Sequence, residues 1–383
     1  MPWNGYERKI APTLSDLAAR STVYTNAYST SSSTAKSASS MLIGRYPSAT
    51  YRSGYFFAGF ADANLFFSEV LQQNGIRTMG GHGHKYFDRG KNWEQGFDVW
   101  EIVPGIGFNS QTDKHVTSHK MTDMAIKMLS DPKNSSGPFF LWFHYMDPHD
   151  KYVQHKESPV WGKKNRDRYD SEMFYVDLHL KRLFDFGKTQ PWWEETAIII
   201  SADHGETFGE HGMYKHAFAL WQELTHVPLI VYVPGTKAQR IKERRSLVDV
   251  APTVLELMGI KDIPKSFQGK SLVPEVYGGA PDNREPIIVD LPEDTNNPDR
   301  RAIIVGDYKL IVLGPGIRGT LLYNLKDDPK EQKDLSKKQP EKLAELKAVY
   351  KTTVEGMAVV KPFGGMKLKS GRIANGPRKP TKK

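Results

Sequence analysis

Cysteine is absent from this 383-residue chain, which carries a formal net charge of +9. Without cysteine there is no disulfide, no thiolate metal ligand, no cysteine nucleophile and no cofactor formed from a cysteine side chain. Long hydrophobic runs are absent too, because stretches such as 197–200 and 227–231 have only the length of strands, whereas a membrane-spanning helix needs about 20 apolar residues. No signal peptide is recognisable. With 39% hydrophobic and 25% charged residues, the composition is typical of a globular protein and argues against a disordered chain.

The basic excess is concentrated at the carboxyl end. Residues 361–383 contain eight basic side chains and no acidic one, so the rest of the chain is nearly neutral. This segment is rich in glycine and proline and has no apolar period, which predicts disorder. It is either a solvated end or a weak anchor for a membrane surface or another polyanion. Because the remainder of the chain is balanced, we expect no specific nucleic-acid binding.

The order of apolar and polar segments predicts an α/β fold. Between residues 11 and 258, strand-length apolar runs alternate with amphipathic helices, which is typical of a mainly parallel sheet flanked by helices. From about residue 284 short strands follow one another, and a charged helix is predicted over 339–353. The expected organisation is a core over 1–283, a small C-terminal antiparallel sheet with a helix over 284–355, and a basic disordered tail over 356–383.

The strongest local signal for chemistry is an adjacent aspartate and histidine. Asp203 and His204 directly follow a predicted buried strand over 196–201, and ligands of open α/β sheets bind at the carboxyl ends of the strands. A carboxylate next to an imidazole suits Zn²⁺, Mn²⁺ or Ca²⁺ to different degrees, and the glycines that follow permit close approach of a ligand. The alternative is a polar loop that merely ends the strand.

A second signal is Thr34, which ends a serine-rich run and is a candidate N-cap for a helix over 35–43. The free N–H groups and the dipole at a helix N-terminus favour phosphate or sulfate. A hydroxyl there can attack phosphorus or sulfur if a metal lowers its pKa, with Lys36 and Ser37 supporting the anion. The alternative is an ordinary N-cap in a polar loop.

Several histidines are further candidates. His149 follows the predicted strand over 139–145 on the metal side of the sheet, where it can protonate a leaving group or hold an oxygen of the substrate; a turn histidine satisfied by backbone is the alternative. His216 is another candidate. His82, His84 and Lys85 form a weaker cluster that is more typical of a wet surface, although His84 and Lys215 are retained as candidate substrate-binding residues.

Taken in order, the segments of this chain resemble those of the sulfatase family, in the alkaline phosphatase superfamily. The resemblance covers nearly the whole chain and depends on the order and spacing of the segments. The segments that carry it are 4–18, 41–47, 138–149, 225–230, 246–253, 308–310 and 322–329. It implies an alkaline-phosphatase-like core and a divalent metal, and, from relatives, a periplasmic or membrane-associated location.

The resemblance places the nucleophile position of the family on Thr34. Sulfatases have cysteine or serine there, within C/S-x-P-x-R, and oxidise it to formylglycine, whereas this chain reads Thr34-Ala35-Lys36-Ser37-Ala38. Threonine carries a methyl group on its β-carbon and cannot become formylglycine, so none is expected. Phosphoethanolamine transferase-like members use threonine at this place.

By this resemblance Thr34 is the nucleophile, Asp203 and His204 are metal ligands, and His149 and His216 hold substrate or leaving-group oxygens. Lys36 is our own suggestion for a cation that replaces the missing arginine. The expected function is metal-dependent hydrolysis or transfer of a phosphate or sulfate ester, with phosphoryl chemistry favoured because of the threonine.

The resemblance also has a gap at its start. The family has a buried strand before the 4–8 segment, and that strand ends in acidic metal ligands, but here Met1 stands where the motif ends. We therefore expect an unfilled position in the sheet and a half-built metal site. Two interpretations stay open: a truncated chain, or a degenerate homologue that binds anionic ligands without turnover.

Overall fold

The structure is a computed structural model that describes residues 1–107, 116–314 and 319–364. The helices are α1 (Pro12–Ala18), α2 (Thr34–Ile43), α3 (Phe67–Gln73), α4 (Ser118–Ser130), α5 (Pro132–Ser135), α6 (Asn165–Gly187), α7 (Gln222–Thr225), α8 (Val250–Leu257), α9 (Val273–Val276) and α10 (Pro340–Glu355). The strands are β1 (Thr22–Tyr28), β2 (Arg77–His82), β3 (Val99–Ile102), β4 (Phe139–His144), β5 (Ile198–Ser201), β6 (Thr207–Phe208), β7 (Tyr214–Lys215), β8 (His226–Tyr232), β9 (Gln239–Ile241), β10 (Arg245–Ser246), β11 (Ile287–Leu291), β12 (Arg300–Val305), β13 (Tyr308–Leu313) and β14 (Gly319–Asn324).

Two sheets form the core. One has the order β10-β1-β8-β5, with β9 also pairing with β1, and the other has the order β3-β2-β4. The β1–β9, β1–β10, β2–β3 and β2–β4 pairs are parallel, whereas β8 runs antiparallel to both β1 and β5. This confirms the predicted α/β class with its mainly parallel pairing, and it adds one antiparallel strand that the sequence pattern did not reveal.

The two core sheets are interrupted between β4 and β5. Within the described ranges, β4 pairs only with β2 and β5 only with β8, so each strand keeps one edge without a partner. Every residue of both strands is half-buried, although β8 next to β5 is mostly buried. That a further strand belongs between these two edges stays a prediction.

Helix α6 covers both strands on one side of this break. Val176, Leu180 and Phe184 pack in one cluster with residues of β5, and Leu183 and Phe186 pack in another with residues of β4. On the opposite side, side chains of β4 and β5 pack against a single shared cluster. The two strands therefore lie side by side between the same two layers, and both lead into the loops that carry the candidate site.

The C-terminal part is the expected small antiparallel sheet, with strand order β11-β12-β13-β14 and helix α10 packed on it. Its other face contacts the core through Tyr28, Leu220 and Trp221. Strands β3, β6, β7, β9 and β10 were not predicted; they are short, and four of them have only two or three residues.

The prediction of a disordered tail from residue 356 is wrong for its first part. The N–H of Val360 bonds to the carbonyl of Ser48, and the N–H of Phe363 bonds to the carbonyl of Arg52. Backbone pairing thus holds 356–364 against the core. The rest of the tail, and with it most of the proposed polyanion anchor, lies outside the described residues. No helix in the described ranges is both long and apolar enough to cross a bilayer.

The Asp147-Pro148-His149 motif contains one residue that stabilises the fold, Asp147, and one candidate site residue, His149. The buried carboxylate of Asp147 accepts hydrogen bonds from the backbone N–H of Thr117 (3.0 Å) and of Ser118 (2.7 Å) and from the Ser118 hydroxyl (2.5 Å). These are the orphan donors at the start of α4, so Asp147 caps that helix from the end of β4. The cap fixes the loop that carries His149.

We predict that Asp147→Ala lowers the free energy of unfolding by about 2–4 kcal/mol, because it leaves two backbone N–H groups and a hydroxyl buried without an acceptor. Urea denaturation measures the change. Asp131→Ala is the matched control, since Asp131 caps α5 in the same way but at the surface; it should cost clearly less. An equal loss of unfolding free energy in the two variants would contradict the role of Asp147 as a buried cap of α4.

Candidate active site

Thr34 is the first residue of α2, and the N-cap position belongs to Ser33, not to Thr34 as the sequence suggested. Most residues of α2 are buried, and its small alanines and serines let the helix lie close to the sheet. The Thr34 side chain is half-buried, and its hydroxyl lies 3.0 Å from Nε2 of His204. The hydroxyl of the neighbouring Ser37 is buried and has no hydrogen-bond partner among the described residues.

The hydrogen bonds of His204 define its tautomer. Nδ1 lies 2.9 Å from the carbonyl oxygen of Gly205 and must donate to it. In the neutral imidazole the lone pair is then on Nε2, which is placed to accept a hydrogen bond from the Thr34 hydroxyl, although that hydroxyl also reaches the Asp203 carboxylate. A hydroxyl that donates to an oriented imidazole is the usual arrangement of a nucleophile and its general base.

Gly205 holds this loop against α7. Its N–H bonds to the carbonyl of Leu224, and a Cβ at this position would lie 2.0 Å from the carbonyl oxygen of Glu223. The glycine is needed for the close approach of these two backbone segments.

The carboxylate of Asp203 lies next to the His204 ring. Its Oδ2 is 3.4 Å from His204 Nε2, is shielded from solvent and has no hydrogen-bond partner among the described residues. Burial by itself raises the pKa of Asp203, but His204, His144 and the Thr34 hydroxyl lower it overall, so the carboxylate is ionised. A buried, ionised and unpartnered oxygen fits a divalent cation, which Asp203 would hold. The Nε2 lone pair of His204 is a second donor for this cation only while it does not accept the Thr34 proton.

His216 is oriented by Glu206. Its Nδ1 lies 3.1 Å from Oε2 of Glu206, which also accepts a hydrogen bond from the Tyr152 hydroxyl at 2.7 Å. Burial would raise the pKa of Glu206, but its bonds with His216 and Tyr152 lower it; burial lowers the pKa of His216, with His204 adding to the effect. At neutral pH an ionised Glu206 thus faces a neutral His216, whose Nε2 keeps a lone pair.

The other predicted histidines gather around this group. The ring of His216 lies 4.2 Å from that of His204 and 5.2 Å from that of His149, and His84 lies 6.4 Å from His149. His149 Nδ1 donates to the carbonyl of Asp150 at 3.2 Å, and His84 Nδ1 accepts from the N–H of Tyr86. The sequence thus identified residues that the fold brings together.

The two predicted lysines are already paired. The ammonium of Lys215 lies 2.8 Å from the Asp150 carboxylate at the rim. Lys36 is fully buried and its ammonium pairs with Asp294, which comes from the C-terminal part of the chain. Burial lowers the pKa of Lys36 although Asp294 opposes the shift. Its role as a cation for the substrate stays a prediction.

His82 does not belong to the site. It is completely buried between Phe87, Trp100 and Trp142, and neither ring nitrogen has a hydrogen-bond partner in the part of the chain that the structure describes. The expectation of a wet surface is therefore wrong for this residue, which is a core residue.

Sequence reasoning assigned no role to His144, Tyr152 or Glu206. His144 ends β4 and is one of the groups that lower the pKa of Asp203, while Glu206 and Tyr152 orient His216. Glu206 was visible in the 201–212 segment, three residues after Asp203. Nothing in the sequence marked Tyr152, because its role depends on how the loop after His149 packs.

The charges of the site do not by themselves favour an anion. Asp203 and Glu206 are negative, and the two nearby lysines are neutralised by Asp150 and Asp294. A cation at Asp203 and His204 would offset this negative charge, which is consistent with the donor set there.

Comparisons with known proteins identify the family of this chain. The chain matches the sulfatase family model over residues 1–260, and it belongs to that family. Residues 209–358 also match the model of the C-terminal region of N-sulphoglucosamine sulphohydrolase.

Curated relatives match over part of their length. A Δ4,5-hexuronate-2-O-sulfatase of Bacteroides thetaiotaomicron is 32% identical over 185 residues, which is 45% of this chain and 37% of the relative. A choline-sulfatase of Rhizobium meliloti is 27% identical over 177 residues, covering 45% and 33%. The matched part of this chain thus spans about a third of these relatives.

Solved structures share the fold over most of their length. One was determined in complex with its substrate D-glucosamine-2-N,6-O-disulfate; it has a TM-score of 0.75 at 18% identity and covers 90% of this chain and 92% of its own. A phosphonate monoester hydrolase of Agrobacterium radiobacter has a TM-score of 0.73 at 15% identity and covers 92% of both chains. At these identities the likeness concerns the fold alone.

We predict a pH effect from His82. Burial holds the pKa of His82 well below its usual value, so the unfolded chain takes up a proton near pH 6.5 that the folded chain does not. The stability of the protein therefore falls as the pH drops below about 6.5, by up to about 1.4 kcal/mol per pH unit from this group. His82→Leu should remove that contribution, which urea denaturation between pH 8 and pH 4.5 measures. If the free energy of unfolding of His82→Leu changed with pH in the same way as that of the unchanged protein, this prediction would be contradicted.

Proposed function

We propose that this chain hydrolyses an ester of sulfuric or phosphoric acid, with Thr34 as the nucleophile and His204 as its general base. The observation that carries the proposal is the 3.0 Å contact between the Thr34 hydroxyl and the lone-pair nitrogen of His204, at the N-terminus of a ten-residue helix. The helix end offers free N–H groups to a tetrahedral anion. Membership of the sulfatase family and the sulfatase names of the relatives support the substrate class.

In the first step the Thr34 oxygen attacks the sulfur or phosphorus atom, and its proton passes to Nε2 of His204. The bond to the leaving oxygen breaks, and that oxygen takes a proton from His149. The product is a sulfate or phosphate ester of Thr34 together with the released alcohol.

In the second step a water molecule attacks the same centre. One of its protons returns to His149, while His216, held by Glu206, accepts a hydrogen bond from the other through Nε2. The Thr34 oxygen leaves and recovers its proton from His204, which restores the starting state. A divalent cation held by Asp203 would supply positive charge for the anionic ester, while Nε2 of His204 carries the Thr34 proton.

We predict that Thr34→Ala lowers kcat by a factor on the order of 10³ or more, because the variant lacks the oxygen that attacks the sulfur or phosphorus atom in the first step. Thr34→Ser is the matched control, because it keeps the hydroxyl and should keep measurable turnover. Hydrolysis of an aryl sulfate, an aryl phosphate and a phosphate diester gives the readout and separates the two ester classes. Undiminished activity of Thr34→Ala would exclude the nucleophile assignment.

We predict that Asp203→Asn weakens binding of a divalent metal by at least about tenfold, because the neutral amide removes the buried charge that faces the cation. Calorimetric titration of the metal-free protein measures this affinity. Asp282→Asn is the control, since Asp282 is a surface carboxylate in ion pairs with Lys270 and Arg284. An unchanged affinity in Asp203→Asn would remove this residue from the metal site.

A second candidate function is binding of an anionic ligand without turnover. Two observations favour it: the free edges of β4 and β5, and the finding that, within the described ranges, Asp203 and His204 do not belong to any group of three close His, Asp or Glu ligands. A strand added between those edges would place further side chains beside Asp203. If this chain binds sulfate or phosphate without turnover, and a version extended by any preceding in-frame codons turns over ester, the site needs that added segment.

A further inference from the structure

A second cluster of ligand-type side chains lies outside the proposed active site. His211 follows β6, Glu223 lies in α7, and Glu331 lies in the turn after β14, so three separate segments meet here. One ligand atom from each of the three lies within 4.8 Å of the others. None of these residues has a role in the reaction proposed above.

Two polar atoms of this cluster, His211 Nε2 and Glu223 Oε2, are buried without hydrogen-bond partners in the described part of the chain. The third, Glu331 Oε1, is in an ion pair with Lys309. The Glu331 side chain is completely buried, and those of His211 and Glu223 are exposed by only 10% and 21%. Burying the His211 and Glu223 atoms unpaired costs free energy, so this arrangement points to a ligand that binds them together with Glu331.

The spacing fits a metal ion better than a hydrogen bond. His211 Nε2 and Glu223 Oε2 are 3.5 Å apart, which is too long for a good N–H···O bond. Two ligands that each lie about 2.1 Å from a tetrahedral Zn²⁺ are about 3.4 Å apart. One imidazole and two carboxylates are a ligand set that suits zinc.

Neighbouring groups hold the three ligands in place. The His211 ring stacks on Trp221 at 4.1 Å, and the second oxygen of Glu331 accepts the N–H of Gln222 at 2.6 Å. Lys309 lies 2.9 Å from Oε1 of Glu331 and would share that oxygen with the cation. Two carboxylates against one lysine leave a net negative charge, so a cation is favoured electrostatically.

We propose that His211, Glu223 and Glu331 form a zinc site that joins the core to the C-terminal sheet. A water molecule would complete the tetrahedral set. The site is separate from Asp203 and His204, and its occupancy does not depend on the reaction assigned to Thr34.

The test uses the full chain, freed of metal with a chelator and dialysed, with Zn²⁺ alone as the probe. The double variant Asp203→Asn/His204→Ala removes the first candidate site. We expect calorimetry to show about one equivalent of Zn²⁺ bound by this variant, and thermal melting to show stabilisation by zinc. Adding Glu223→Gln, which keeps the size of the side chain, should weaken that binding at least about tenfold.

His211→Ala in the same background should have the same effect, while His226→Ala, an exposed histidine in β8, is the matched control and should leave zinc binding unchanged. Melting in the absence of zinc shows whether each variant is folded. The proposal is overturned if the double variant binds no zinc, or if folded Glu223→Gln and His211→Ala proteins bind it as tightly as their parent.

Discussion

The packing of α6 against both core sheets is the constraint on which the site depends. Since β4 and β5 share no backbone hydrogen bonds, their relative position is set by side chains: those of α6 on one side and the large shared cluster on the other. This packing brings the carboxyl ends of two strands from different sheets together. His149 and His204 come from those two ends, and the His216 ring lies near both of their rings.

Hydrogen bonds then orient the imidazole rings that these loops carry. The carbonyl of Gly205 fixes the tautomer of His204, so that its lone pair faces Thr34, and Glu206 fixes His216 in the same way. Because each imidazole is held by an acceptor on one nitrogen, the other nitrogen is presented to the reaction. The negative charge of Asp203 and Glu206 remains at the site, and a bound cation would offset it.

Most of the long helices and strands and several candidate site residues were predictable from the sequence. The features that were not predictable have physical reasons. Strand and helix periods identified most long elements, and the ends of apolar runs identified Asp203, His204 and His149, because parallel strands deliver their following residues to one edge. The pairing of Lys36 with Asp294 could not be predicted, since it joins residues far apart in sequence. The burial of His82 could not be predicted, because the sequence around a histidine at the end of a strand does not show whether its side chain faces the core or the solvent.

The two metal-type clusters are linked by backbone contacts. Gly205, next to His204, packs directly on the backbone of Glu223 and Leu224. A cation that fixed Glu223 to His211 and Glu331 would thus hold the short helix α7 on which the His204 loop rests. In this fold the C-terminal sheet supports the active-site loops from two directions, through Glu331 toward α7 and through Asp294 toward Lys36 in α2. The small C-terminal part is therefore an integral support of the site, and its removal would disturb both loops at once.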